Sequence, residues 1–109
     1  MNFNDYQKKS RQTAIYPDKD NNFVYPTLGL MGEAGEIAEK VKKVFRDNDG
    51  VLNEERRQML KKELGDVLWY VAQLATELDF EFEEIAKFNI EKLQARQRKG
   101  TLKGDGDDR

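Results

Sequence analysis

Two stretches of the sequence decide the fold: residues 28–43, LGLMGEAGEIAEKVKK, and residues 61–78, KKELGDVLWYVAQLATEL. Each carries apolar residues at intervals of three and four, the spacing that places them on one side of a helix. Each also contains two acids three residues apart, which are Glu33 and Glu36 in the first stretch and Glu63 and Asp66 in the second. Because residues three apart share a helix face, each pair presents two carboxylates side by side.

Outward from these stretches, the sequence predicts two more helices and no strand of any length. A short first helix begins near Asn4, a candidate cap, and residues 16–26 form a loop with a proline near each end. Turn-forming residues at 47–50 separate the two long helices, and Asn53 caps the second of them. The predicted helices span residues 3–14, 27–45, 54–78 and 83–99.

The length of 109 residues suits a single domain. We therefore expect an all-α fold, a helical bundle of about four helices, over residues 1–99. Residues 100–109 form a Gly/Asp-rich tail that we expect to be flexible or to be ordered by a partner or ligand. Only 38% of the residues are hydrophobic, so one copy would bury a thin core. We expect oligomerisation to complete the bundle.

The composition excludes several classes of function. The net charge of −2 argues against stable nucleic-acid binding, which normally shows a basic excess. The absence of cysteine excludes disulfides and thiolate metal sites, and the absence of histidine removes the commonest general base and the usual zinc ligand. The sequence shows neither a signal peptide nor an apolar run of membrane length, so we expect a cytoplasmic protein that does not bind a membrane.

The two acidic pairs predict a metal site. Four convergent carboxylates repel one another unless divalent cations that prefer oxygen ligands, such as Mg²⁺ or Mn²⁺, neutralise them. The alternative is that each pair is a solvated face neutralised by neighbouring lysines, and this explanation is favoured for either pair alone. Two pairs at matching edges of two apolar stripes favour the metal site. Metals held in this way usually handle phosphates.

Polar and aromatic residues beside the stripes are candidates for substrate contacts. Asn89, Lys92 and Arg96 are either a surface stripe near a helix C-terminus, where cations are favourable, or ligands of phosphate oxygens. Trp69 and Tyr70 are either packing aromatics or the lining of a base pocket. The aromatic residues of the first loop are further candidates for this pocket: Tyr16, Phe23 and Tyr25.

Three glycines lie at intervals of three in the second helix: Gly29, Gly32 and Gly35. Glycine costs roughly 1 kcal/mol relative to alanine inside a helix, so their presence calls for a structural reason. A smooth strip of this kind lets another helix or a ligand approach closely. Of these two explanations we favour close helix packing.

Residues 28–43, residues 61–78 and the segment NIEKLQAR at 89–96 resemble the MazG-like all-α nucleoside triphosphate pyrophosphohydrolases. The pattern of that family is an E-x-x-E helix, a spacer and an E-x-x-D helix. The resemblance covers about residues 27–99. Many members begin the first motif with two adjacent glutamates, and here Gly32 stands at the first of these positions.

The resemblance implies four ligands for Mg²⁺, with Mn²⁺ as a substitute: Glu33, Glu36, Glu63 and Asp66. It implies three contacts to the triphosphate: Asn89, Lys92 and Arg96. Tyr70, one turn after Asp66, is implied to lie by the nucleotide. Members of the family form dimers or tetramers and cleave between the α- and β-phosphates, releasing a nucleoside monophosphate and pyrophosphate. Their role is to remove unwanted nucleotides, a form of nucleotide-pool house-cleaning.

Because the chain has no histidine, the catalytic base is a carboxylate or a hydroxide on the metal. Glu36 and Glu39 are the candidate catalytic carboxylates. Two other functions are open at this stage: hydrolysis or binding of an alarmone such as guanosine tetraphosphate, and a non-enzymatic helical interaction module.

Overall fold

The computed structural model describes residues 1–107. Four helices and their connecting loops make up this part of the chain, with no strand: α1 Phe3–Arg11, α2 Val24–Asn48, α3 Glu54–Glu77 and α4 Phe82–Lys99. The prediction of an all-α fold with four helices is therefore confirmed. No helix in residues 1–107 is long and apolar enough to cross a membrane.

The cap of α1 is Asn2 rather than the predicted Asn4. The Asn2 side chain accepts a hydrogen bond from the backbone N of Asp5 at 2.8 Å, and the Asp5 carboxylate accepts one from the backbone N of Asn2, which is the reciprocal arrangement of a capping box. The Asn4 side chain instead accepts a hydrogen bond from the backbone N of Glu83 at 3.0 Å. Asn4 therefore fastens the first turn of α4 to α1.

Helix α2 is longer than predicted at both ends. It begins at Val24, three residues early, because Pro26 is tolerated in a first turn, where a backbone N–H needs no partner. The Asn22 side chain accepts a hydrogen bond from the backbone N of Tyr25 at 2.9 Å. The helix ends at Asn48, beyond the predicted position 45, and the following residue, Asp49, adopts a left-handed conformation.

Helix α3 is the centre of the fold. Helices α1 and α2 both pack on it, whereas α4 contacts α1 and α3 but not α2. Because α3 is the one helix that α2 meets, only a narrow face of α2 is covered: Leu30 and Ile37 are half-buried and Val44 is buried. The apolar spacing of residues 28–43 predicts a wider stripe, and three of the residues with this spacing are exposed: Ala34, Ala38 and Val41.

The chain is more open than a compact domain of its size. Its radius of gyration is 16.8 Å, against about 13 Å for a compact domain of this length. Its accessible surface is 8075 Å², against about 6,200 Å² for a folded monomer of this mass. Large apolar side chains lie on the outer side of α2 with more than half of their surface exposed: Val24, Leu28, Met31 and Phe45.

The carboxylate of Glu77 fastens the loop between α1 and α2 to the end of α3. Its side chain has no exposed surface and accepts hydrogen bonds from Arg11 at 2.8 Å and from the Tyr16 hydroxyl at 2.5 Å. It also accepts bonds from the backbone N of Asp20 at 3.0 Å and of Asn22 at 2.7 Å. We call these five residues the Glu77 clamp.

We expect Glu77→Gln to destabilise the protein by about 3 kcal/mol near neutral pH, because it leaves buried donors around an uncharged group. Burial by itself would raise the pKa of Glu77, but the hydrogen bonds from Tyr16, Asn22, Arg11 and Asp20 outweigh it and lower the pKa to about 2. The stabilising charge is therefore fully present above the ordinary pKa of 4.5 and is lost as the pH falls towards 2.

Thermal unfolding of the wild type and of Glu77→Gln between pH 7 and pH 2 measures the stability that the Glu77 charge contributes. The difference in stability should be constant at higher pH and should shrink below about pH 4.5. Glu91→Gln, at an exposed position of α4, is the matched control and should track the wild type. A difference between Glu77→Gln and the wild type that stays constant down to pH 2 would contradict the role of the buried charge.

Candidate functional site

The contact between α2 and α3 brings three carboxylates together. One oxygen each from Glu33, Glu63 and Asp66 lies within 4.8 Å of the other two. Glu33 and Glu63 are half-buried and Asp66 is exposed. The structure therefore places one acid of the first predicted pair beside both acids of the second. We call these three residues the acidic cluster.

Glu36 and Glu39 lie outside the acidic cluster. The Glu36 side chain is 56% exposed, and Lys40 is its ion-pair partner at 3.8 Å. The Glu39 carboxylate pairs with Lys42 at 2.9 Å and with Lys43 at 3.7 Å. The hydrogen bond from Lys42, with the charges of both lysines, lowers the pKa of Glu39. The two candidate catalytic carboxylates thus differ in their surroundings. Glu36 has one lysine at 3.8 Å, whereas Glu39 is paired with two lysines.

Lys40 lies at the edge of the acidic cluster and neutralises part of its charge. Its Nζ is 3.1 Å from one oxygen of Glu63, and this hydrogen bond lowers the pKa of Glu63 and raises that of Lys40. The other oxygen, Glu63 Oε2, is buried and accepts no hydrogen bond. A buried carboxylate oxygen without a partner is costly, and a bound cation would satisfy it.

Crowding perturbs Glu33 as well. Burial and the nearby charges of Asp66, Glu63 and Glu36 raise the pKa of Glu33. The cluster thus holds more negative charge than Lys40 offsets. A set of carboxylate oxygens without nitrogen or sulfur donors suits Mg²⁺ or Mn²⁺. The three residues of the cluster therefore fit a divalent cation of this kind.

Tyr70 packs against the backbone of α2 at Gly29, near the acidic cluster. A Cβ atom at Gly29 would overlap the Tyr70 ring, so glycine is required for this close approach. Burial, the neighbouring Tyr25 and the charges of Glu33 and Asp66 raise the pKa of Tyr70. The structure therefore places Tyr70 close to Glu33 and Asp66, and its place by the nucleotide stays a prediction.

Close helix packing was predicted for all three glycines of α2, and the structure shows it only at Gly29. A Cβ atom at Gly32 or Gly35 would meet no other atom within 4 Å. The prediction is therefore wrong within the chain for these two positions, because α3 covers a single face of α2.

The polar end of Trp69 is bonded to the turn that follows α1. Its Nε1 donates a hydrogen bond to the Thr13 hydroxyl at 2.8 Å, and its ring meets that of Tyr70 edge-on at 5.0 Å. The polar end of this side chain is therefore engaged within the fold. Its place in a base pocket stays a prediction.

The cations of α4 bind the tail of the same chain. The Lys92 ammonium lies 3.0 Å from the Asp107 carboxylate, and the Arg96 guanidinium donates to the same carboxylate at 3.2 Å and to the Asp107 carbonyl at 2.8 Å. Arg96 is buried, and its Nε has no hydrogen-bond partner. Asn89 is exposed on the same helix. These cations thus bind an anionic group, although neither forms an ion pair with the acidic cluster.

Two residues near these sites, Glu77 and Asp107, had no role in the sequence-based predictions of the site, and Lys40 entered only as one of the lysines that could neutralise the acidic pairs. Lys40 lies seven residues after Glu33, so helical spacing already places the two on one face. The contacts of Glu77 and Asp107 depend on how distant parts of the chain fold back. No local pattern in the sequence indicates them.

We expect Lys40→Met to bind Mn²⁺ about tenfold more tightly than the wild type, a change of ~1.4 kcal/mol. The variant removes a positive charge that competes with the cation for Glu63. Glu63→Gln should weaken binding, because it removes the charge of a half-buried carboxylate of the cluster. Isothermal titration calorimetry measures both affinities, and Lys61→Met, at an exposed position of α3, is the matched control. Equal affinities for Lys40→Met and the wild type would show that Lys40 and the cation do not compete.

The sequence of this chain is similar to known sequences over most or all of its length. The gene 37 protein of Mycobacterium phage L5 is 49% identical over 114 aligned residues, which cover the whole of both chains. No solved structure matches the chain. The family model of the MazG nucleotide pyrophosphohydrolase domain matches residues 26–101, a range that contains the acidic cluster and the cations of α4. The chain therefore belongs to the MazG nucleotide pyrophosphohydrolase family.

Proposed function

We propose that this protein is a Mg²⁺-dependent nucleoside triphosphate pyrophosphohydrolase. It cleaves its substrate between the α- and β-phosphates and releases a nucleoside monophosphate and pyrophosphate. Membership of the family supports the class of reaction. The observation that carries the choice of cofactor is the acidic cluster, in which a buried oxygen of Glu63 has no partner. Mn²⁺ substitutes for Mg²⁺, and the role is nucleotide-pool house-cleaning in the cytoplasm.

In this proposal the acids of α2 and α3 have two roles, which are cation binding and proton transfer. Glu33, Glu63 and Asp66 hold the cation, which when bound offsets the charge that develops on the phosphate oxygens. Glu36, one turn along the same helix as Glu33, completes the ligand set or accepts the proton of the attacking water. Its exposed carboxylate has a single ion-pair partner, Lys40, at the longer distance of 3.8 Å. Glu39 is the weaker candidate base, because two lysines hold its pKa down.

The polar side chains of α4 hold the phosphates that leave. Arginine binds two oxygens at once, and Arg96 together with Lys92 already binds a carboxylate in this chain. Phosphate oxygens would displace Asp107 from these cations. Asn89 adds a neutral hydrogen-bonding group on the same helix, and Tyr70 contacts the nucleoside.

A panel of canonical and modified nucleoside and deoxynucleoside triphosphates tests the reaction. We expect release of pyrophosphate with Mg²⁺ and none with a chelator. Glu36→Gln should lower kcat by about 100-fold, the usual contribution of a general base, whereas Glu55→Gln, at the exposed start of α3, should leave it unchanged. Release of orthophosphate would mean that another bond is cleaved, and wild-type turnover by Glu36→Gln would remove its catalytic role.

Guanosine tetraphosphate belongs in the panel, since its preferential hydrolysis would make the substrate an alarmone. A chain that releases no product would instead be an interaction module.

We also propose that the functional unit is a homodimer or homotetramer. The accessible surface exceeds that of a typical monomer by about 1,800 Å², and a standard interface buries about 800 Å² on each partner. The exposed apolar row on the outer side of α2 offers the contact. Since α4 does not reach α2 within one chain, association also offers its cations a route to the acids of another copy.

Substitution in the exposed apolar row of α2 tests whether this surface joins copies of the chain. Leu28→Lys places a charge on a side chain that is 67% exposed in the single chain, and we expect it to shift the protein towards monomer, because burying an unpaired charge is costly. Ile15→Lys changes a side chain that is 93% exposed in the first loop and should not. Light scattering coupled to size-exclusion chromatography measures the mass. A monomeric wild type at micromolar concentration would overturn this proposal.

A further inference from the structure

The Glu77 clamp holds one end of a row of three tyrosines. The ring of Tyr16, whose hydroxyl donates to Glu77, is buried and stacks on the ring of Tyr25 with centroids 4.9 Å apart and planes 13° from parallel. The ring of Tyr25 lies 6.4 Å from that of Tyr70. The row therefore runs from a buried carboxylate at the end of α3 to the edge of the acidic cluster.

Asn22 couples the clamp to the backbone of Tyr25. Its own backbone N donates to Glu77 at 2.7 Å, and its side-chain oxygen accepts from the backbone N of Tyr25 at 2.9 Å. Glu77 thus fixes both the ring on which Tyr25 stacks and the turn that begins α2. Tyr25 has little freedom to move away from Tyr70.

The far end of the row is fixed as well. Tyr70 lies against Gly29, where any side chain would collide with its ring. Tyr25 lies between two held rings but is itself 42% exposed. The ring of Tyr25 is thus a fixed aromatic surface that is open to solvent. Only the ring of Tyr70 separates it from the acidic cluster.

The chemistry of this surface differs from that of the rest of the site. Arg11 is the cation of the clamp, and it is engaged by Glu77, Asp20 and Tyr16, so it offers little to a phosphate. The row of three tyrosines presents the faces of aromatic rings and phenolic hydroxyl groups. Such a surface binds a base or a sugar by stacking and hydrogen bonding, whereas phosphates are drawn to the cation held by the acidic cluster.

We propose that Tyr25 contacts the nucleoside of the substrate and that Glu77 is the positioning residue that holds Tyr25 in place. This inference rests on the proposed function, since the phosphates of the same nucleotide would lie at the acidic cluster. It adds the first turn of α2, held in place by the loop before it, to the site as the wall that meets the nucleoside. Tyr25 contributes through its ring, so Tyr25→Phe should retain the contact and Tyr25→Ala should lose it.

Two ligands separate the nucleoside contact from the phosphate contacts. Calorimetry with Mn²⁺ present gives the affinity for pyrophosphate and, separately, for the nucleoside monophosphate product, and steady-state kinetics gives KM and kcat. We expect Tyr25→Ala to raise KM and weaken monophosphate binding by about tenfold, the scale of one stacking contact, with kcat and pyrophosphate affinity near the wild type. Phe88→Ala, at a 69% exposed aromatic residue of α4, is the matched control and should leave both affinities unchanged.

The positioning role of Glu77 has its own variants. Glu77→Gln should reproduce the rise in KM without a matching fall in kcat or in Mn²⁺ affinity. Tyr16→Phe keeps the stacked ring and removes one bond to Glu77, so it should show the same pattern more weakly in a protein that is less destabilised. A merely structural role would lower kcat, pyrophosphate affinity and Mn²⁺ affinity together.

The outcomes distinguish this inference from the function on which it rests. Wild-type monophosphate affinity in Tyr25→Ala overturns the contact, and a joint fall of all affinities in Tyr16→Phe overturns the positioning role. A wild type that binds pyrophosphate and hydrolyses triphosphates, but binds every nucleoside monophosphate no better than Tyr25→Ala does, overturns this inference alone. A wild type that neither hydrolyses triphosphates nor binds pyrophosphate overturns the proposed function, and this inference with it.

Discussion

Repulsion among the carboxylates between α2 and α3 is the constraint around which the site is organised. The apolar faces of the two helices can pack only if Glu33 comes close to Glu63 and Asp66. Lys40 offsets part of the cost from one side, and a buried oxygen of Glu63 is left without a partner. The same packing that forms the core therefore creates a demand for positive charge, which a divalent cation meets.

A second constraint is that α3 cannot cover all the apolar surface of its neighbours. Helix α2 is covered along one face and α4 does not reach it, so apolar side chains stay exposed along its outer side. The acids and the cations of the candidate site also remain on separate helices, and the Lys92 and Arg96 side chains bind the tail instead. Association between copies would address both features with the same contact.

Much of the fold could be predicted from the sequence because the helical signals are local. Apolar spacing and the turn at residues 47–50 gave the four helices, and the two acidic motifs gave the family. Helix ends were less predictable because they depend on contacts outside the helix. Asn4, a good cap by type, binds α4 instead, and Asn22 with Pro26 allows α2 to begin three residues early.

The sequence by itself determined that the chain forms amphipathic helices with acids beside their apolar faces, since helical periodicity alone fixes which residues share a face. The tertiary structure decided which of those acids meet. Glu33 turns towards α3, whereas Glu36, one turn away, remains exposed, because α2 packs on a single helix. The Tyr16–Glu77 bond likewise joins residues 61 positions apart. Such pairings depend on how helices dock, and no local pattern encodes them.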